Sequence, residues 1–125
     1  MSTVVSPRKA KKYFSAKMNF TTGPVELDEM IKKQENIIII DVRSPEDYKR
    51  GHIPGAINKY RAEDESYTGL SKKRNNIIYC YSEQCHLAAA AAKEFADKGY
   101  PVVELEGGFE AWKEHNLPIE ESPSF

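Results

Sequence analysis

The sequence predicts an α/β domain built on a central, mainly parallel sheet of about five strands, with helices on its faces. Three observations predict it. Ile37 to Ile40 is a run of four β-branched residues, the composition of a strand covered on both sides, as strands of parallel sheets are. Short strand-like runs alternate with segments of helical spacing from Met18 to His115. At 125 residues the chain has the length of one domain, enough to bury a core without covalent staples.

The elements follow in order. Ser6-Pro7 reads as an N-cap with a first-turn proline, opening a helix to about Lys17 with Ala10, Tyr13, Phe14 and Met18 at roughly helical spacing. Met18 to Thr21 is expected as a short edge strand. Gly23-Pro24 punctuates the chain, and Val25 to Lys33 places Val25, Leu27, Met30 and Ile31 in an amphipathic helical pattern. Asp41-Val42-Arg43 closes the Ile37–Ile40 strand. Ser44-Pro45-Glu46-Asp47 supplies an N-cap, a first-turn proline and two acids at the positive end of a helix dipole, and Gly51 ends that short helix. Pro54-Gly55 turns into a short strand, Ala56 to Asn58. Residues 59–74 are polar and weakly patterned, a loop with one or two helical turns. Asn76 to Cys80 is a second buried strand. The stretch from Cys85 or His86 to Lys98 is a helix whose five consecutive alanines allow close approach to a sheet, with Gly99 as its stop. Pro101 to Leu105 is a further strand, Gly107-Gly108 a tight turn, and Phe109 to His115 a last short helix.

Composition excludes several functions. With 40% hydrophobic and 30% charged residues and a net charge of −1, the chain is expected to take neither nucleic acid nor membrane as its main partner. Charge is uneven locally: Arg8, Lys9, Lys11, Lys12 and Lys17 stand among the first 20 residues without an acid, and from Glu104 onward six glutamates face Lys113 alone. Both runs read as solvated surface. No apolar run approaches the ~20 residues of a membrane helix, and the basic N-terminus lacks the apolar core of a secretory signal. Two cysteines five positions apart offer no disulfide framework, so the expected location is cytoplasmic, with thiols reduced at rest.

Sites in open α/β sheets form beyond the carboxyl ends of strands, beside helix N-termini. Cys80 ends one strand, and Tyr81-Ser82-Glu83-Gln84-Cys85 leads into the next helix. If this loop curls around the sulfur, the amides of residues 81–86 form an anion-binding nest. Cysteines so placed commonly titrate at about 3.5–7.5, and the thiolate is the nucleophile. A buried structural cysteine is the competing reading, and position alone leaves both open.

Ile39-Ile40-Asp41-Val42-Arg43 followed by Asp47-Tyr48 and Gly51-His52-Ile53-Pro54-Gly55-Ala56-Ile57 resembles the N-terminal signature of the rhodanese family. Ile77-Ile78-Tyr79-Cys80 is similar to its active-site strand, and Leu105-Glu106-Gly107-Gly108-Phe109-Glu110-Ala111-Trp112 to its glycine-glycine-aromatic motif. The resemblance implies a three-layer rhodanese-like domain over residues 20–125, with residues 1–19 an added, helical extension. It implies a sulfurtransferase that carries sulfane sulfur as a persulfide on Cys80. Residues 81–86 would form the active-site loop, holding the persulfide charge on their amides as an oxyanion hole would. The partners implied are a sulfur donor, thiosulfate or a persulfide, and a thiol or cyanide acceptor, or an acceptor protein. No cofactor and no metal are required.

The loop departs from the family pattern. Many active members have glycine at its fourth position and a basic or small hydroxylated residue at its sixth, where this chain has Glu83 and Cys85; no Lys or Arg lies between 80 and 86. Glu83 would repel an anionic donor such as thiosulfate. Cys85 either resolves a Cys80 persulfide as a disulfide or is a small residue joining loop to helix. A non-catalytic binding or redox-sensing module using Cys80 and Cys85 is therefore the alternative. Asp41 and Arg43 read as a buried ion pair pinning the strand end, and His52 as a hydrogen-bonded turn residue rather than a base. His86 either caps the active-site helix or lies near the sulfur. Cys80, Cys85 and His86 fall short of the four ligands of a closed zinc site. Trp112 and Phe109 read as core anchors. A phosphatase or arsenate reductase on this scaffold needs arginine where His86 stands, so its phosphate clamp is missing.

Overall fold

A computed structural model of the chain describes residues 3–60 and 67–122. Five strands form one parallel sheet: β1 (Thr21–Thr22), β2 (Ile37–Asp41), β3 (Ile57–Asn58), β4 (Asn75–Tyr79) and β5 (Val102–Leu105), in the order β1-β5-β4-β2-β3. The helices are α1 (Pro7–Phe20), α2 (Pro24–Lys32), α3 (Pro45–Arg50), α4 (Leu87–Asp97) and α5 (Gly108–Glu114).

Alternation along the central strands divides the core. Ile39, Ile77, Tyr79, Val103 and Leu105 face Leu27 of α2 and Phe109 and Trp112 of α5. Ile40, Ile78 and Cys80 face the other way, against Ala88, Ala91, Ala92 and Phe95 of α4. Small residues on α4 let it lie close on the sheet, so this layer is thin where Cys80 ends it.

The proline-led helices begin where their caps put them. The Ser6 hydroxyl accepts from the Lys9 amide and that of Ser44 from Asp47, both at 3.3 Å. The expected strand at 18–21 is displaced. Residues 18–20 continue α1, and pairing starts only at Thr21, which stands opposite Glu104 of β5. That partner decides the boundary, and local propensity does not see it. In the 59–74 segment the described residues 67–74 are turns without a helix, braced by buried Asn76, whose amide donates to the Ser71 and Pro101 carbonyls. The rest of the expected helical turns falls on residues 61–66, outside the described residues. α1 packs beside β5 and β1 but buries none of its side chains, leaving Tyr13, Phe14, Met18 and Phe20 exposed.

Candidate active site

The carboxyl end of β4 is built around an ionic cluster. Asp41, at the end of β2, is wholly buried and accepts from the Arg43 backbone amide at 2.8 Å, from Arg43 Nε at 3.1 Å and from Nη2 at 2.8 Å. Parallel register sets Tyr79 opposite Asp41, and its hydroxyl donates to Asp41 Oδ2 at 2.7 Å while accepting from the Ile53 amide at 3.1 Å. Burial first, and then the Asp41 charge, push the Tyr79 phenol far up, so it remains a proton donor. Arg43 also donates to the Gly51 carbonyl at 2.5 Å and lies 4.1 Å from the Phe109 ring centroid. One guanidinium thus ties β2, the end of α3 and the start of α5 together. His52 is buried, its Nδ1 2.7 Å from the Tyr48 carbonyl oxygen and its ring stacked on Tyr48, and its backbone exchanges two hydrogen bonds with Glu120.

On this base the loop after β4 is clamped at both flanks. Tyr81 donates from its hydroxyl to Asp47 Oδ2 at 2.6 Å, joining the loop to α3. From the other side the first amides of α5 reach in: Phe109 N–H donates to the Cys80 carbonyl and Glu110 N–H to the Tyr81 carbonyl, each at 2.9 Å. That approach depends on Gly108, at φ +60°, where a Cβ would stand 2.7 Å from the Cys80 carbonyl oxygen and 2.9 Å from the Ser82 nitrogen. The glycine pair, expected as a tight turn, therefore also makes room for the loop.

Within the loop the Cys85 amide donates to the Ser82 carbonyl at 3.1 Å, folding the chain back so that Cys85 comes round beside Cys80. Cys80 Sγ also lies 3.3 Å from the Cys85 carbonyl oxygen, and both cysteines are free. The expected nest of six amides is only partly formed, because the Cys85 N–H is spent on this turn. Tyr81 and Ala88 amides face Cys80; those of Tyr81, Leu87 and Ser82 face Cys85.

This arrangement corrects the expected charge state. Cys80 is 2% exposed, and burial, joined by its hydrogen bond to Cys85, pushes its thiol up to about 11 against the pull of the amides. Burial also acts to raise half-buried Cys85, but the Cys80 thiol and three amides outweigh it and leave Cys85 below the ordinary thiol range.

Ser82, Glu83 and Gln84 form the outer rim, Glu83 and Gln84 exposed. His86 occupies the backbone N-cap position of α4, but its exposed side chain caps nothing. Cys80 opens on a cavity of about 110 Å³ lined also by Ser82, Glu83, Ala88, Glu104, Glu106 and Gly108. Three carboxylates therefore border it. Burial first and neighbouring Glu106 second raise Glu104, and Glu106 bonds Lys17 of α1 at 3.0 Å. The part of Glu104 and Glu106 is missing from the sequence reading; the parallel β4–β5 register, with Ile78 opposite Glu104, brings them to Cys80. A larger cleft of about 670 Å³ beyond Arg43 is lined by Arg43, Asp47, Arg50, Gly51, Phe109, Lys113, Ile119 and Glu121, with no thiol, hydroxyl or imidazole among them.

The rhodanese-like domain profile matches residues 23–115, and the chain belongs to that family. Among solved structures, the BH2092 protein of Bacillus halodurans superposes with a TM-score of 0.85 at 38% identity, over 94% of this chain and 88% of that one. The thiosulfate sulfurtransferase GlpE of Coxiella burnetii is 32% identical over 94 residues, 74% of this chain and 85% of GlpE. The HTH-type transcriptional regulator Rv0324 of Mycobacterium tuberculosis is 34% identical over 96 residues, 74% of this chain; the match spans 42% of the regulator. No helix among the described residues is long and apolar enough to cross a membrane.

Proposed function

We propose that the chain is a sulfurtransferase that carries sulfane sulfur as a persulfide on Cys80. The observation that carries this reading is the placement of the Cys80 sulfur: at the end of β4, against the Tyr81 and Ala88 amides, opening on the cavity beneath Gly108. Named relatives of the same fold that are sulfurtransferases add to it.

Cys85 supplies what the buried thiol lacks. As Cys80 attacks the outer sulfur of a donor, its proton passes to the neighbouring Cys85 thiolate, so the attacking sulfur carries the charge only in the reacting state. The donor's S–S bond breaks, the remainder leaves with the electron pair, and the transferred sulfur enters the small cavity. A thiol or cyanide acceptor, or the thiol of an acceptor protein, then takes that sulfur and returns Cys80 to its thiolate. Glu83, Glu104 and Glu106 at the cavity set the donor class: they repel the thiosulfate dianion and favour a neutral low-molecular-weight persulfide or a protein persulfide.

Intact mass after incubation with glutathione persulfide, with thiosulfate in parallel, tests the reading. Chains are expected to gain one sulfur atom or to release it as hydrosulfide, more completely with the persulfide, and Cys80→Ser to do neither. Sulfur retained in Cys80→Ser would remove Cys80 as the carrier. The burial of Cys80 and its raised pKa favour a second reading, a binding or redox-sensing module without transfer activity; absence of both sulfur gain and hydrosulfide release with every donor would select it.

A further inference from the structure

We propose that Cys85 is a resolving thiol, which converts the Cys80 persulfide into a Cys80–Cys85 disulfide and releases hydrosulfide, giving the site a second outcome besides transfer to an external acceptor. The inference rests on the persulfide reading above.

The geometry favours it on three counts. The Ser82–Cys85 turn folds the loop so that Cys80 Sγ donates to the Cys85 carbonyl at 3.3 Å and both cysteines pack in one cluster, and the Phe109 and Glu110 amides hold the Cys80 end of that loop in place. The resolving group is thus already at the sulfur it must attack, an advantage of position over any diffusing acceptor. Access is unequal: Cys80 is buried at the bottom of a cavity of about 110 Å³, whereas Cys85 is half-buried on the inner side of the loop. The carboxylates of Glu83, Glu104 and Glu106 line that cavity and oppose anionic thiols approaching through it. The amides of Tyr81, Leu87 and Ser82 also favour the anion of Cys85, holding its thiol below the ordinary range against the effect of burial.

The step balances without another oxidant. The Cys85 thiol first passes the proton it took from Cys80 to the outer sulfur, and the resulting thiolate attacks Sγ of Cys80; the Sγ–Sγ bond forms as the bond from Cys80 Sγ to the outer sulfur breaks. The outer sulfur departs as hydrosulfide, keeping its proton and taking the electron pair. It is reduced by two electrons, and the two cysteine sulfurs are oxidised to the disulfide. A low-molecular-weight thiol returns the disulfide to the dithiol by exchange and is itself oxidised.

The test loads the full chain anaerobically with thiosulfate in excess, removes the donor by desalting, and follows intact mass and free hydrosulfide. Wild type is expected to end two hydrogens lighter than the dithiol, with one equivalent of hydrosulfide released and peptide mapping that joins Cys80 to Cys85. Cys85→Ser is expected to lose hydrosulfide release and stay one sulfur heavier. Wild type that stays one sulfur heavier without releasing hydrosulfide overturns the resolving role and leaves the sulfurtransferase reading standing. If wild type neither gains sulfur nor releases hydrosulfide, and does the same when glutathione persulfide is the donor, both readings fall. The wild-type mass and mapping decide the matter even if Cys85→Ser does not fold.

Discussion

Replacing Gly108 by alanine is expected to destabilise the fold by about 3–5 kcal/mol, far more than a surface turn glycine would. Residue 108 has φ +60°, and an L side chain in the left-handed region costs roughly 1–2 kcal/mol. The added methyl would stand 2.7 Å from the Cys80 carbonyl oxygen, 2.9 Å from the Ser82 nitrogen and 3.0 Å from the Tyr81 carbonyl carbon. All three are backbone atoms, so relief requires parting α5 from the loop. That parting weakens the two hydrogen bonds from Phe109 and Glu110, and losing both comes to about 2–3 kcal/mol. Gly99 is the matched comparison: at φ +91° its added methyl would meet only Lys72 Nζ at 4.0 Å, so Gly99→Ala bears the conformational cost alone. Urea denaturation followed by Trp112 fluorescence gives both values, and Cys80 alkylation by iodoacetamide reports whether the loop has shifted. Gly108→Ala no more costly than Gly99→Ala, with Cys80 alkylation unchanged, would refute the close approach of α5 as the reason for the glycine.

Three further outcomes are expected. Asp41→Ala leaves the Arg43 guanidinium buried without its partner and the Tyr79 hydroxyl without its acceptor, a loss of about 3–5 kcal/mol in denaturation; a loss near that of a surface substitution would show that the cluster does not hold the site. Cys85→Ala removes the neighbour that adds to burial in raising Cys80, so Cys80 is expected to alkylate with a lower apparent pKa than in the wild type measured alongside; a pH profile at or above wild type contradicts that coupling. Glu83→Gln is expected to lower KM for thiosulfate by roughly tenfold at low salt, with the gain shrinking as salt screens the exposed carboxylate, and to leave a neutral persulfide donor nearly unaffected; equal KM values at low salt would remove loop charge as the discriminator.

Features encoded within a few residues are legible in the sequence alone. The Ile37–Ile40 run, the Ser6-Pro7 and Ser44-Pro45 caps and the alanine helix after Cys85 carry their own physics, and Cys80 stands out because a strand-like run ends on it just before a helix. The features that are not legible there depend on partners far along the chain. α1 continues to Phe20 because the next residue has Glu104 to pair with. Glu104 and Glu106 border Cys80 only through the β4–β5 register. The thiol pKa values reverse the expectation for the same reason. A strand end beside a helix start argues for a thiolate, but how deeply α4 and α5 bury the sulfur, and where the second thiol lands, are properties of packing.

The clamp of α5 on the loop also has a bearing on biosynthesis. Both thiols leave the ribosome before the residues that enclose them, since the amides holding the Cys80 and Tyr81 carbonyls belong to residues 109 and 110. A nascent chain that has reached residue 100 therefore carries the cysteine pair, α4 and most of the sheet, but has neither the clamp nor the cavity wall that Gly108 supplies. Until the glycine pair docks, the Cys80 and Tyr81 carbonyls lack the amides that hold them and the loop lacks the wall that Gly108 gives it.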